Sequence, residues 1–240
     1  MCGQYYGSGP RWLPAGVVVF HRPGKVKLLN VHTHYPSGSH AADEIVNLRP
    51  GEYSGVLPRL YSAGLHPWFL REASLESDLE WLHACAPGAV AIGEAGLDKL
   101  VNTPADLQMA AFRACITVSE QTGKPLIIHC VKAYEAVIAV KKNLKPVQPW
   151  IIHGFDKHPQ TAAELLRAGC YLSFGKALFN DRSHASRSLQ SVPADRFFLE
   201  TDDARDLTIE AVYTRAALIR GVTQEEMMAA GVRPDNIFIL

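Results

Sequence analysis

Pro125-Leu126-Ile127-Ile128-His129-Cys130 is an apolar run that closes on a histidine, and the pattern recurs along the chain. Trp150-Ile151-Ile152-His153 ends in the same way, Val90-Ala91-Ile92-Gly93-Glu94 ends on a glutamate, and Phe197-Phe198-Leu199-Glu200-Thr201-Asp202 ends on an aspartate. Working outward from these, strand candidates fall at 28–33, 44–48, 60–66, 89–95, 125–130, 150–155, 170–175 and 197–202. Many are apolar on both parities, as expected for parallel strands covered on both faces. They total eight.

Helical patterns separate most of them. Thr103-Pro104-Ala105-Asp106 places a capping threonine before a first-turn proline and an acidic residue. Leu107, Ala111, Ala114 and Val118 extend this into an apolar stripe ending near Gly123. Tyr134, Val137, Ile138 and Lys141 repeat the pattern, and 159–168 and 208–220 are further helix candidates. Strand–helix alternation predicts right-handed βαβ crossovers in a barrel or an open doubly wound sheet. The 240 residues suit a barrel, which typically takes about 250.

Residues 35–43 carry Pro36-Ser37-Gly38-Ser39 and are too few for a helical crossover, which needs about ten to twelve. The expectation is therefore an α/β fold, a somewhat distorted TIM-type (β/α)8 barrel lacking its first crossover helix. Gly231 and Pro234 predict a short final helix. Residues 1–27 read as an N-terminal appendage, with a short strand at Val17-Val18-Val19-Phe20 and a turn at Arg22-Pro23-Gly24-Lys25. Neither a linker nor a repeat divides residues 1–240, so they read as one domain.

Lysine plus arginine (24) equal aspartate plus glutamate (24), so a nucleic-acid substrate would need a local basic rim and not a general field. Apolar stretches fall far short of the roughly 20 residues that span a bilayer, and no signal peptide is apparent. Five scattered cysteines (Cys2, Cys85, Cys115, Cys130, Cys170) form neither a disulfide framework nor a CxxC zinc site. A reducing cytoplasm fits them.

The chemistry lies in the polar residues that end the strands. His32 and His34 flank Thr33, and residues two apart on a strand face one side. With Glu94, His129, His153 and Asp202 they occupy strand C-termini, the face where barrel loops build active sites. Buried polar groups without partners are costly, and divalent cations would supply the partner. Imidazole and carboxylate together suit zinc, manganese or iron, whereas magnesium is usually richer in oxygen ligands. Singly, each has a plainer reading: His129 or His153 as a hydrogen-bonded core histidine, Glu94 or Asp202 as a helix cap. Their coincidence on separate strands points to a metal centre.

The ordered blocks Asn30-Val31-His32-Thr33-His34, Gly64-Leu65-His66-Pro67, Ile92-Gly93-Glu94-Ala95-Gly96-Leu97-Asp98, Pro125–Cys130, His153-Gly154-Phe155, Tyr171-Leu172-Ser173-Phe174-Gly175 and Leu199-Glu200-Thr201-Asp202 carry a resemblance. From about residue 28 to 240 the chain resembles TatD-type metal-dependent hydrolases of the amidohydrolase-like barrel superfamily. The resemblance implies that His32, His34 and Asp202 bind one metal, His129 and His153 a second, with Glu94 bridging. It puts His66 beside the site, touching substrate or a ligand. It also implies phosphodiester hydrolysis, including DNase activity, in the cytoplasm. Asn30 stands where an aspartate is common, Lys132 where an arginine is common and Ala204 where a proline is common.

Two divalent ions (zinc, manganese or magnesium) would polarise a scissile phosphoryl group and activate water, with Asp202 orienting or deprotonating that water. A GxSxG elbow is absent, and Gly93-Glu94-Ala95-Gly96 matches neither GxGxxG nor a P-loop. Lys99, Lys132, Lys157, His158, Lys176 and Arg182 are candidates to contact phosphate, Lys132 and Lys176 foremost. Tyr35, Trp68, Phe155 and Phe179 are candidates to stack on bases. The same centre could instead serve an amidohydrolase, deacylase or lactonase acting on a small carbonyl substrate, or persist in a barrel kept as an interaction module.

Overall fold

The apolar runs pair with their sequence neighbours to make one parallel sheet. The computed structural model describes residues 27–52, 56–230 and 237–238, so the strand and turn expected at 17–25 lie outside the described residues. The strands are β1 (Leu28–Thr33), β2 (Ala42–Leu48), β3 (Tyr61–Ala63), β4 (Ala91–Asp98), β5 (Leu126–Val131), β6 (Trp150–Ile152), β7 (Cys170–Phe174) and β8 (Phe197–Leu199). They lie side by side in chain order, every pair parallel. The sheet curls until its ends meet at a parallel bridge between Thr33 and Asp202. There the His34 N–H donates to the Asp202 carbonyl and the Asp202 N–H to the His32 carbonyl, both at 3.0 Å. The result is the expected eight-stranded barrel.

Two buried layers follow from strand alternation. Leu29, Val31, Ile45, Leu60, Ala91, Ile127, Ile151 and Phe198 form one cluster inside the barrel. Phe238 completes it, its ring 5.7 Å from that of Phe198. The alternate residues, among them Val46, Ile92, Ile128, Ile152 and Leu199, pack outward against the helices.

The helices are α1 (Leu75–Cys85), α2 (Ala105–Thr122), α3 (Tyr134–Leu144), α4 (Pro159–Arg167), α5 (Ala185–Ser191), α6 (Ile209–Arg220) and α7 (Gln224–Ala230). α2 stops where Gly123 turns left-handed at φ 68°, a conformation that suits glycine. α6 begins at Thr208, whose Oγ1 accepts the Ala211 N–H at 3.3 Å.

Three expectations need correction or extension. Thr103 does not cap α2: Pro104 occupies the N-cap position, and the Thr103 carbonyl instead accepts from Gln108 Nε2 at 2.8 Å. The first crossover lacks a helix as expected, but so does the second, from 49 to 60, among its described residues. That segment holds Pro50, Gly51, Gly55 and Pro58, which interrupt helical patterning. α1 and α5 complete the outer layer without having stood out in the sequence, and α5 is only seven residues long.

Local irregularities in two strands aim the site. Between Asn30 and Thr33, β1 carries one more residue than β2 opposite it, and between Ile92 and Ala95, β4 carries one more than β5. An extra residue reverses which parity faces inward. Leu29 and Val31 point into the barrel below the irregularity, whereas His32 and His34 do so above it. Ala91 likewise gives way to Glu94 and Asp98. Gly96 follows in β4 at φ 155°, and a Cβ there would run into the His129 carbonyl oxygen. Gly96→Ala should cost about 3 kcal/mol of stability through backbone strain and overpacking, read from urea unfolding midpoints beside the parent chain. An unchanged midpoint would show that β4 and β5 can separate there without cost.

Candidate metal centre

Strand ends and the residues just past them bring nine ionisable side chains to one rim. β1 supplies His32, the residue just past β1 is His34, the loop after β3 supplies His66, and β4 supplies Glu94 and Asp98. His129 comes from β5, His153 from the residue just past β6, and Glu200 and Asp202 from the segment just past β8. Glu94 is the hub. Its Oε1 lies 2.7 Å from His153 Nε2, 2.8 Å from His129 Nδ1 and 3.0 Å from His66 Nε2. Its Oε2 lies 3.3 Å from His32 Nε2 and 3.5 Å from His34 Nε2. Asp202 Oδ1 faces the same two imidazoles at 3.6 and 3.7 Å.

These distances test whether a cation fits. Four ligand atoms set tetrahedrally about 2.1 Å from an ion stand about 3.4 Å from one another. The nitrogens of His32 and His34 and the oxygens of Glu94 and Asp202 keep that spacing. Both ring nitrogens of His32 are buried and make no hydrogen bond of normal geometry, as is true of His153 Nδ1. Orphaned nitrogens in a fully buried site are costly, and nitrogens set among carboxylate oxygens are a mixed donor set suited to zinc or manganese. The residues fit a divalent cation. Three overlapping groups hold their ligand atoms within 4.8 Å: His32–His34–Glu94, His32–His153–Asp202 and His66–Glu94–His129. All six expected ligands are therefore brought together, and His66 joins them more closely than the sequence implied.

Electrostatics separate the roles. Burial pushes the Glu94 carboxyl up, but the charges of His153 and His66 and the hydrogen bonds from His129 and His153 outweigh it and hold it well below the usual range. Burial likewise works against charge on His153, yet Glu94 and Glu200 raise it well above an ordinary histidine. For His66 burial wins over the attraction of Glu94, and its pKa is lowered. Burial and the neighbouring His153 oppose charge on His32, but Asp202 and Glu94 raise it to about 9. Asp202 is held below the carboxylate range, because the His32 imidazole facing it at 3.6 Å and the charge of His153 outweigh its burial.

Sequence reasoning missed the groups behind these imidazoles. Asp98 Oδ2 lies 3.0 Å from His129 Nε2 and accepts the Trp68 indole N–H at 2.7 Å. Glu200 Oε1 accepts the Gly154 N–H at 2.6 Å and lies 3.6 Å from His153 Nδ1. Such carboxylates fix which ring nitrogen faces a metal. Here they leave His129 Nδ1 and His153 Nε2 turned toward Glu94. A period-two reading back from Asp202 would have found Glu200, and forward from Glu94, Asp98. Asn47 was also overlooked. Its Oδ1 accepts the Glu94 N–H at 2.8 Å and the Ser62 hydroxyl at 3.2 Å, which holds the β4 irregularity in place. Asn30, where an aspartate is common, ties β1 to the segment just past β8. Its Oδ1 accepts the Thr201 N–H at 3.0 Å and its Nδ2 donates to Thr201 Oγ1 at 2.8 Å.

The outlying candidates divide. Lys176 Nζ is 3.9 Å from Asp202 Oδ2 and pairs with Asp203. Lys132 is exposed at the end of β5 with φ 52°. Lys157 pairs with Asp156 at 2.9 Å, and His158 stacks on His184 with ring centroids 3.4 Å apart. Lys99 and Arg182 are exposed. Tyr35, Trp68 and Phe179 are open at the surface, but Phe155 is fully buried in the outer core and cannot stack on a ligand.

A closed parallel barrel with imidazoles and carboxylates gathered at its strand C-termini defines a class, the barrel hydrolases that work through divalent cations. Comparison narrows it. Residues 24–232 match the family described as TatD related DNase, and the chain belongs to this TatD family of metal-dependent hydrolases. It is 29% identical over 223 residues to the uncharacterized metal-dependent hydrolase YcfH of Escherichia coli strain K12, covering 87% of this chain and 80% of that protein. The 3'-5' ssDNA/RNA exonuclease TatD of Edwardsiella piscicida is 33% identical over 157 residues, 59% of this chain and 56% of that protein. The crystal structure of YjjV, a TatD homologue from E. coli K12, shares the fold with a TM-score of 0.73 at 19% identity, covering 90% of this chain and all (100%) of that one.

A proton on His32 must leave before its nitrogen can bind a cation. With that pKa raised to about 9, cation affinity should climb as pH rises from 6.5 toward 9 and then level off, with protons released on binding. Calorimetric titration with Mn2+ in buffers of different ionisation heat measures both. A pH-independent affinity with no proton release would remove His32 from the ligand set.

Proposed function

We propose that the chain hydrolyses phosphodiester bonds of nucleic acid at a centre of two divalent cations. The observation that carries this reading is the convergence of His32, His34, Glu94, His129, His153 and Asp202 on one rim, with Glu94 offering Oε2 to one pair of imidazoles and Oε1 to the other. His32, His34 and Asp202 would hold one ion, His129 and His153 the other, and Glu94 both. Bound there, divalent ions supply Lewis-acid polarisation of a phosphoryl oxygen and a lowered pKa for attacking water.

The chain's own groups do the rest. Asp202 divides its two oxygens: Oδ1 faces His32 and His34, while Oδ2 turns toward the mouth and Lys176. Oδ2 is thus placed to orient the attacking water and take its proton. Asp202 is in the left-handed region at φ 54°, and its own backbone pairing with β1 holds it there. His66, held neutral by burial, sits at the edge of the centre, where it can hydrogen-bond a substrate oxygen. Lys176, and Lys132 from the end of β5, can contact the substrate's phosphates. The relative named as a 3'-5' ssDNA/RNA exonuclease supports a nucleic-acid substrate. A reducing, cytoplasmic setting is supported by Cys85, Cys115, Cys130 and Cys170, all free. No helix among the described residues is long and apolar enough to cross a membrane.

Purified protein given Mn2+, Mg2+ or Zn2+ should cleave a bis-aryl phosphodiester and single-stranded DNA in preference to amide, ester and lactone panels. Cleavage confined to the carbonyl panel would transfer the centre to the amidohydrolase or lactonase class. Glu94→Ala should lower turnover by at least about a thousandfold while circular dichroism stays that of the parent. It should also cut bound metal, measured by elemental analysis, below the parent's two equivalents. Near-normal turnover in that variant would remove the bridging role.

A further inference from the structure

A cavity of about 300 Å3 opens beside the centre, between the ends of β2 and β3 and the start of α1, lined chiefly by Arg49, Trp68, Phe69, Arg71, Ser74 and Asp78. It shares His66 with the centre, and His66 Nε2 is 3.0 Å from Glu94 Oε1. Trp68 and Phe69 are 56% and 47% exposed. Large aromatic surface left open and rimmed by charge marks a binding site more than a packing fault.

Both rings are also fixed in place. The Trp68 indole donates to Asp98 at 2.7 Å, its backbone N–H donates to His66 Nδ1 at 3.1 Å, and the Phe69 N–H donates to the His66 carbonyl at 3.1 Å. The Arg49 guanidinium lies 3.6 Å from the Phe69 ring centre. A platform ordered before binding loses little entropy when a flat ligand arrives.

We propose that this cavity is a nucleobase subsite, which takes the unpaired base next to the scissile phosphate of a single-stranded nucleic acid. The proposal rests on the phosphodiester reading above and adds to it a place for the base. Aromatic rings stack on any base whose face is free, whereas a base within a duplex presents no face. The volume is at the small end for ligand pockets and suits one base, not a base pair. Ser74 and Asp78 offer hydrogen-bonding groups to the base edge, and Arg49 and Arg71 bring positive charge for the flanking phosphate. Arg49 is also paired with Glu52 at 2.9 Å, so Arg71 is the freer of the two to contact it.

Binding of the full chain to two fluorescein-labelled octamers tests this. One is single-stranded oligothymidylate with phosphorothioate linkages that slow cleavage, and the other is the same backbone with tetrahydrofuran in place of every base-bearing sugar. The base-bearing octamer should bind at least about tenfold more tightly, as stacking of one or more bases implies. Phe69→Ala should shrink that preference to about twofold, and Phe69→Tyr should keep it. Arg71→Ala, at an exposed position, should weaken binding of the base-bearing octamer severalfold. Equal affinity for the two octamers, an undiminished preference in Phe69→Ala, or equal binding of a blunt duplex would overturn the proposal. Cleavage of phosphodiester-linked versions separates the two readings. Base-selective binding without cleavage would leave the subsite and remove the catalytic reading, whereas cleavage with the same KM on both octamers would remove the subsite alone.

Discussion

One buried carboxylate organises the rim. Glu94 is 2% exposed and has five imidazole nitrogens within 3.5 Å of its two oxygens. A carboxylate so enclosed must be paired or become protonated, and here histidines from β1, β5 and the segments after β3 and β6 supply the pairing. The strands bearing those histidines are thereby bound to a common point inside the barrel mouth. Asn47 holds the Glu94 backbone, while Asp98 and Glu200 sit behind two of the imidazoles. The centre is a network whose members fix one another, and networks of this kind are worth more than their separate pairs.

Much of this was legible in the chain because burial leaves a plain trace in parallel strands. All eight strands begin within two residues of the places the apolar runs suggested, and the short final helix and the missing first crossover helix follow from prolines and glycines that sequence displays directly. The six proposed ligands were visible as polar residues ending apolar runs. His129, His153 and Asp202 simply continue the inward parity of Ile127, Ile151 and Phe198.

What could not be read is the mechanism that turns His32, His34 and Glu94 inward. Simple alternation from Val31 and Ala91 would send His32 and Glu94 outward into the helical layer. One extra residue in each strand corrects this, and no side-chain pattern announces it, because the irregularity is a property of pairing with the neighbouring strand. Asn47 and Asn30 were hidden for the same reason. Each acts on backbone far away in sequence, at Glu94 and Thr201, and only the closed barrel makes those partners adjacent. α1 was overlooked for a different cause: Leu82 is its only fully buried side chain, so its apolar stripe is faint.

The floor of the barrel carries a consequence of another sort. Phe238 inserts among residues drawn from nearly every strand, and the wall itself is sealed by contacts between β1 and the segment after β8. During synthesis, then, β1 is made well before the segment after β8 and Phe238, and it must wait for both. Until then its inward apolar face lacks the cover that closure supplies.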